Sequence, residues 1–188
     1  SVICHIFIIC VVFDRFVVFG FTIQPPKCKF LETVVECGGH LVGHREVRPN
    51  PKKVLAIQVF ETPKNMKQLR NFLGICSWTI RRFHPAHAEH ASRITTAFRK
   101  PNDKKKFSAV WEEQKSTVPF QKLKDAATLD LSNSTFDPDA NDTRLYFDWS
   151  RWAICCVLMQ NAAIVRVYGK ACSASESKYH PTKGEALA

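Results

Sequence analysis

The stretch Leu145–Gln160, LYFDWSRWAICCVLMQ, constrains the fold more than any other, because one carboxylate, Asp148, ends an apolar run and a second apolar run begins just after it. Leu145 and Phe147 alternate with Arg144 and Tyr146, Ser150 and Arg151 supply a polar connection, and Ile154 to Met159 is unbroken apolar sequence. That pattern predicts a β-hairpin with an acid at its bend. A carboxylate at the end of a core strand is costly to hide, so Asp148 must face water, a cation or a metal ion.

Charge divides the rest of the chain. Residues 27–106 hold 17 Lys and Arg against 6 Asp and Glu, whereas residues 107–188 hold 9 against 10. A basic block beside a near-neutral one points to a polyanionic partner for the middle third, or to a solvated basic surface. Eight cysteines in 188 residues are too few for a small disulfide scaffold, and predict reduced, mostly buried thiols in an intracellular protein. The apolar run Val2–Phe13 is interrupted by His5 and followed at once by Asp14 and Arg15. It is shorter than the ~20 residues a bilayer span needs and lacks the flanks of a signal peptide, so no membrane segment is expected.

Taken in order, residues 2–19 predict an apolar helix or strand buried nearly all round, the helix being favoured, ended by Gly20 and by Pro25-Pro26. Apolar runs on either side of Gly38-Gly39 predict a β-hairpin between Lys27 and Arg48. Cys28, Cys37, His40 and His44 have a spacing that fits no common zinc finger. Thr62, followed by Pro63, is placed to N-cap a helix whose apolar face is Met66, Leu69, Leu73 and Cys76 and whose opposite face carries Lys64, Lys67 and Asn71. His84, His87 and His90 fall near one helical face, but with no carboxylate at matching spacing they predict surface or half-buried side chains rather than a metal site. Ile94, Ala97 and Phe98 continue an apolar stripe that Pro101 stops. Pro119 should kink or shorten a helix running on from Trp111, residues 132–144 read as a turn-rich loop, and a third strand lies around Ala163 to Tyr168. Thr182 and Glu185 have capping-box spacing.

Three phrases resemble one family in one order. FDWSRWAICCVLMQ is similar to the opening of the ribonuclease H-like domain of gypsy-type LTR retrotransposon Pol polyproteins, where Thr-Asp-Ala-Ser leads into Gly-Ile-Gly-Ala-Val-Leu-Ser-Gln. Upstream, GFTIQPPKCKFLETVVECGGHLVGHREVRPNPKKVLAI resembles the segment after the polymerase active site, with Cys28, Gly39, His40, Pro49, Pro51, Lys53 and Val54 matching. Between them, FETPKNMKQLRNFLGICSWTIRRF resembles the thumb signature Thr-Pro-Lys-x-x-x-x-Leu-Arg-x-Phe-Leu-Gly-Leu-x-x-Tyr-Tyr-Arg-Arg-Phe. Trp78-Thr79-Ile80 replaces its paired tyrosines and is one residue longer, which implies a π-bulge or an early helix end.

The resemblance implies a mixed α+β chain: an end of the palm with an apolar helix (1–26), a palm–thumb β-hairpin and exit (27–60), a helical thumb (61–106), a connecting helix and loop (107–136) and the first half of a ribonuclease H-like α/β domain (137–188). It implies phosphate contact by Lys64, Lys67, Arg70, Arg81 and Arg82, with an RNA–DNA hybrid or duplex and the rest of a Pol polyprotein as partners. It makes Asp148 the first metal ligand and, through the match of Tyr179, Thr182, Glu185, Leu187 and Ala188 to the phrase that starts the first helix of that domain, makes Glu185 the next. The chemistry so implied is hydrolysis of RNA by two Mg²⁺ ions about 4 Å apart, held by four acids. Only two of those positions fall within this sequence, and the resemblance puts the polymerase's Tyr-x-Asp-Asp acids before residue 1. Ala153 and Cys155 also replace family glycines, and Trp149 stands where the family has a small residue. The expectation is a reverse transcriptase/ribonuclease H segment that is catalytically inactive as it stands. The rival readings are a non-catalytic remnant that binds nucleic acid through its basic thumb, and an inert copy.

Overall fold

A computed structural model describes residues 2–98, 106–129 and 131–188. The chain forms two compact units, one running to Val35 and the other from Glu36 to Ala188. Helix outweighs strand, and all the pairings described between strands are antiparallel.

In the first unit, α1 (Val2–Val18) takes the helical alternative, but none of its residues is buried. The expectation of a helix buried all round is therefore corrected. Ring contacts within the unit set Phe13 against Phe30 and Phe16 against Phe21, both edge-on. Gly20 ends the helix at φ +70, a left-handed conformation that costs Gly little.

From the boundary at Val35 onward the chain makes a meander of β1 (Val35–Cys37), β2 (His40–Gly43) and β3 (Glu46–Pro49). Gly38 and Gly39, at φ +57 and +77, make the tight turn that the sequence predicts. Asn50 then caps α2 (Pro51–Gln58), its Oδ1 accepting from the Lys52 N–H at 2.9 Å, with Pro51 at the first helical position. α3 (Met66–Thr79) starts later than expected. Its cap is Asn65 rather than Thr62: Asn65 Oδ1 accepts from the Gln68 N–H at 2.9 Å, and Gln68 Oε1 accepts from the Lys64 N–H at 2.7 Å. The additional residue at 78–80 is absorbed by ending the helix at Thr79.

α4 (His87–Ala97), α5 (Phe107–Glu113) and α6 (Thr117–Ala126) follow. The break between α5 and α6 precedes Pro119, with Lys115 at φ +48, so Pro119 sits in the first turn of α6, where its missing N–H costs nothing. α2 to α6 share one core, in which Ile57, Leu69, Phe72, Cys76, Ile94 and Leu123 are fully or almost fully buried. A chain of ring contacts runs through it, from Phe60 to Phe72 to Phe120 to Trp111 to Phe107. Each such side chain contributes about 1.5–3 kcal/mol by leaving water.

β4 (Asn133–Ser134) lies within the predicted loop and pairs with β3, Val47 opposite Asn133 and Glu46 opposite Ser134. A second sheet has the order β5-β6-β7, from β5 (Thr143–Trp149), β6 (Ala153–Gln160) and β7 (Ala163–Ala171). α7 (Pro181–Glu185) packs on β5. Asn161 and Ala162, both at positive φ, form the β6–β7 turn. All eight cysteines are free, but only Cys76 and Cys172 are buried, which corrects the expectation of mostly buried thiols.

Candidate functional site

Two groups of side chains are candidates for a functional site, one at the β5–β6 turn and one on α3. In the first, the hairpin is closed by Ser150, whose N–H donates to the Ala153 carbonyl at 2.9 Å and whose Oγ accepts from the Trp152 and Ala153 N–H groups at 3.3 and 3.2 Å. Asp148 is exposed one residue before the end of β5, directly across from Cys155. The Cys155 thiol is pushed up to about 11, chiefly by burial and then by Cys156 and Asp148, so it stays neutral beside the carboxylate. Asp148 also lines a cavity of about 270 Å³ together with Tyr146, Phe147, Pro85 and Glu89. Glu89 is already paired with Arg93 at 2.6 Å.

Glu185 is exposed at the end of α7. The capping box that competes for it does not form: α7 begins at Pro181 with His180 in the cap position and no side-chain cap hydrogen bond. What joins Asp148 to Glu185 is their neighbours. Trp149 lies against Gly184 so closely that a Cβ on that glycine would overlap the indole. Two exposed carboxylates, neither in an ion pair with any described residue, thus sit beside residues in direct contact. Among the described residues no three His, Cys, Asp or Glu side chains converge as metal ligands do.

On α3, the buried face is Leu69, Phe72, Cys76 and Thr79, with Met66 and Leu73 half-buried. Lys64, Lys67 and Arg70 are all exposed, and none pairs with a described carboxylate. Sequence reading missed three residues that share this surface. Lys53 of α2 joins Arg70, Asn71, Gly74 and Trp78 around a shallow groove. Trp78 is 62% exposed yet braced on the Gly38-Gly39 turn and tilted against His40. Above Gly74 there is only open space. A glycine inside an exposed helix costs about 1 kcal/mol relative to Ala, and that departure from good helix sequence was the available signal.

Arg81 and Arg82 are placed elsewhere. Arg81 Nη2 donates to the Gly169 carbonyl of β7 at 3.2 Å. Arg82 is half-buried, its guanidinium over the Phe83 ring, while its carbonyl accepts from Asn133 Nδ2 at 2.8 Å. The structure therefore brings Lys64, Lys67 and Arg70 together on the α3 side and puts Arg81 and Arg82 at the seam with the sheets.

Two of the three histidines differ from expectation. His87 and His90 are buried and His84 is half-buried. Both ring nitrogens of His87 and the Nδ1 atoms of His84 and His90 are buried without hydrogen-bond partners. Burial, then Arg81, His84 and His90, push His87 down to about 4.

Comparison with solved structures places this fold. Over its whole length the chain superposes on the foamy viral protease-reverse transcriptase in complex with RNA/DNA hybrid, with a TM-score of 0.74 at 16% identity, covering 25% of that protein. The architecture is that of a reverse transcriptase segment with an adjoining ribonuclease H-like sheet. No family model matches the chain. It is 28% identical over 184 residues to the retrovirus-related Pol polyprotein from transposon 297 of Drosophila melanogaster, and 31% identical over 144 residues to that from transposon opus of the same species. Those stretches are 98% and 72% of this chain but only 17% and 14% of the relatives, so the chain spans a small part of their length. It is a homologue of the retrovirus-related Pol polyproteins of retrotransposons.

Proposed function

We propose that this chain is the nucleic-acid-gripping part of a retrotransposon reverse transcriptase/ribonuclease H, binding an RNA–DNA hybrid or duplex along α3 and catalytically inactive as it stands. The observation that carries the proposal is the outer face of α3, where unpaired cations flank an open glycine and a braced, exposed tryptophan. Lys67, Arg70, Gly74 and Trp78 recur at three, four and four residues, so they line one face over roughly 16 Å. That length matches about five base pairs at 3.4 Å each. Cations contact phosphates, the glycine lets a backbone approach, and the indole offers an apolar surface to the groove.

Residues 61–106 then act as the thumb, 107–136 as the connection and 137–188 as the ribonuclease H-like part, after the palm remnant (1–26) and the palm–thumb hairpin (27–60). Asp148 and Glu185 are the residues that would hold a divalent ion. Their exposure, their lack of ion-pair partners and their hard oxygen donors suit Mg²⁺, which commonly takes one or two carboxylates plus substrate phosphate and water. When bound, such an ion polarises a phosphodiester and activates water. Two carboxylates are half of what the two-ion reaction uses, and Trp149 fills space beside them. For these reasons we assign binding rather than turnover.

Fluorescence anisotropy of a labelled 20-base-pair RNA–DNA hybrid, titrated at several salt concentrations, tests this. Binding should weaken steeply with salt, and Lys64→Glu, Lys67→Glu and Arg70→Glu together should flatten the log–log slope by about three. A slope unchanged in the triple variant would overturn the assignment of the α3 face.

A further inference from the structure

A second cavity, of about 440 Å³, opens between the later half of α4, the β5–β6 turn and the segment after β7. Its volume lies in the range of small-molecule sites. Trp152, Arg151 and Lys178 line it, together with Ser92, Thr96 and Ser177. Neither Arg151 nor Lys178 is paired with a described carboxylate. Glu176, two residues before Lys178, is engaged: one oxygen accepts from the Ser173 N–H at 2.6 Å and the other from Lys170 Nζ at 3.1 Å. The Arg93 guanidinium lies 5.6 Å from the Trp152 ring centre, and the Trp152 backbone N–H donates to Ser150 Oγ.

An indole wall, two unpaired cations and nearby hydroxyls are a poor fit to a simple anion, which would leave the apolar wall unused. They are also poor for an apolar ligand, which would strand the charges. A nucleotide satisfies both halves, because its base stacks on the indole and its phosphates take charge-assisted hydrogen bonds from Arg and Lys. We propose that this cavity seats one nucleotide of a single-stranded nucleic acid, its base against Trp152 and its flanking phosphates on Arg151 and Lys178.

The placement fits a strand that also passes Asp148. α4 contributes Glu89 to the cavity at Asp148 and Thr96 to this one, and seven residues of helix span about 10 Å. The strand's passage rests on the function proposed above, but the site and its ligand are separate from the α3 face.

The test is a titration of the full chain with adenosine monophosphate and with the pentanucleotide (dA)5, read by tryptophan fluorescence. Saturable quenching is expected, with a midpoint about tenfold lower for (dA)5 than for the mononucleotide, because only the strand supplies a phosphate on each side. Trp152→Phe should remove the quench, and Arg151→Glu with Lys178→Glu should raise the midpoint about tenfold or more. Both cations are exposed, so these variants should keep the fold; circular dichroism checks this, and the milder Arg151→Gln, Lys178→Gln pair gives a second reading. The α3 triple variant should lose hybrid binding and keep the Trp152 quench, which separates failure of one site from failure of the other. The proposal is overturned by the absence of a saturable quench, by (dA)5 binding no tighter than the mononucleotide, or by a midpoint indifferent to Arg151 and Lys178.

Discussion

α3 and α4 are neighbouring helices that use polarity in opposite ways. α3 buries Leu69, Phe72 and Cys76 and turns Lys67, Arg70 and Trp78 outward. α4 buries His87, His90 and Ser92 along with Ala88 and Ile94, and leaves ring nitrogens of both histidines unsatisfied. A polar group facing water is available for binding at little cost, whereas the same group buried without a partner costs about 1–3 kcal/mol. One helix thus turns its polar groups to water over a well-packed apolar face, the face to which nucleic-acid binding is proposed being the outer one. The other is a point of weakness that responds to acid.

The largest expected effect comes from breaking the apolar face of α3. Phe72 is fully buried and touches both Phe60 and Phe120, so Phe72→Ala should destabilise the chain by about 3–5 kcal/mol in chemical denaturation. Next comes acid. His87 has a folded pKa of about 4 against about 6.5 unfolded, so the unfolded chain binds the proton more readily. The stability present above pH 6.5 should fall by about 3 kcal/mol on acidification to pH 4. His90, with Lys122 and Arg93 near it and Glu89 partly opposing, is shifted the same way by burial, as are His84 and His40. His87→Phe should flatten the melting temperature's dependence on pH between 6.5 and 4; a profile as steep as the parent's would mean that the protons go elsewhere.

Charge reversal at Lys64, Lys67 and Arg70 should cost about 100-fold in hybrid affinity near 0.1 M salt, close to 3 kcal/mol, while leaving the thermal midpoint nearly unmoved. The smallest effect sharpens the contrast most. Gly74→Ala should raise stability by up to about 1 kcal/mol, since the site is open, yet weaken hybrid binding by standing a methyl group where the proposal puts the nucleic-acid backbone. A variant that gains in both would detach Gly74 from binding.

Much of this was legible where local rules act alone. The Gly38-Gly39 turn, the hairpin after Asp148 and the two faces of α3 follow from nearest-neighbour periodicity, and they stand where the residues imply. The start of α3 was misplaced because Thr62-Pro63 and Asn65 are both good caps, and the Gln68 side chain selects the second. The fate of the histidines was not legible, since their spacing marks a helical face but not which side that face turns to. β4 was hidden for a similar reason: two residues in a turn-rich run become a strand only through pairing with β3. At the candidate site, the exposed acids could be named from the chain, but the fit of Trp149 on Gly184 depends on two segments far apart in sequence.

That short pairing of β4 with β3 also bears on how the polypeptide is made. Val47 meets its partner Asn133 only after roughly 85 further residues have been added, which at ~5–20 residues per second leaves one border of β3 open for several seconds on the ribosome. During that interval its bare amides and carbonyls are a template for mispairing. Asn133 also ties that late-arriving strand to the helical part of the chain, its Nδ2 donating to the Arg82 carbonyl, 51 residues back.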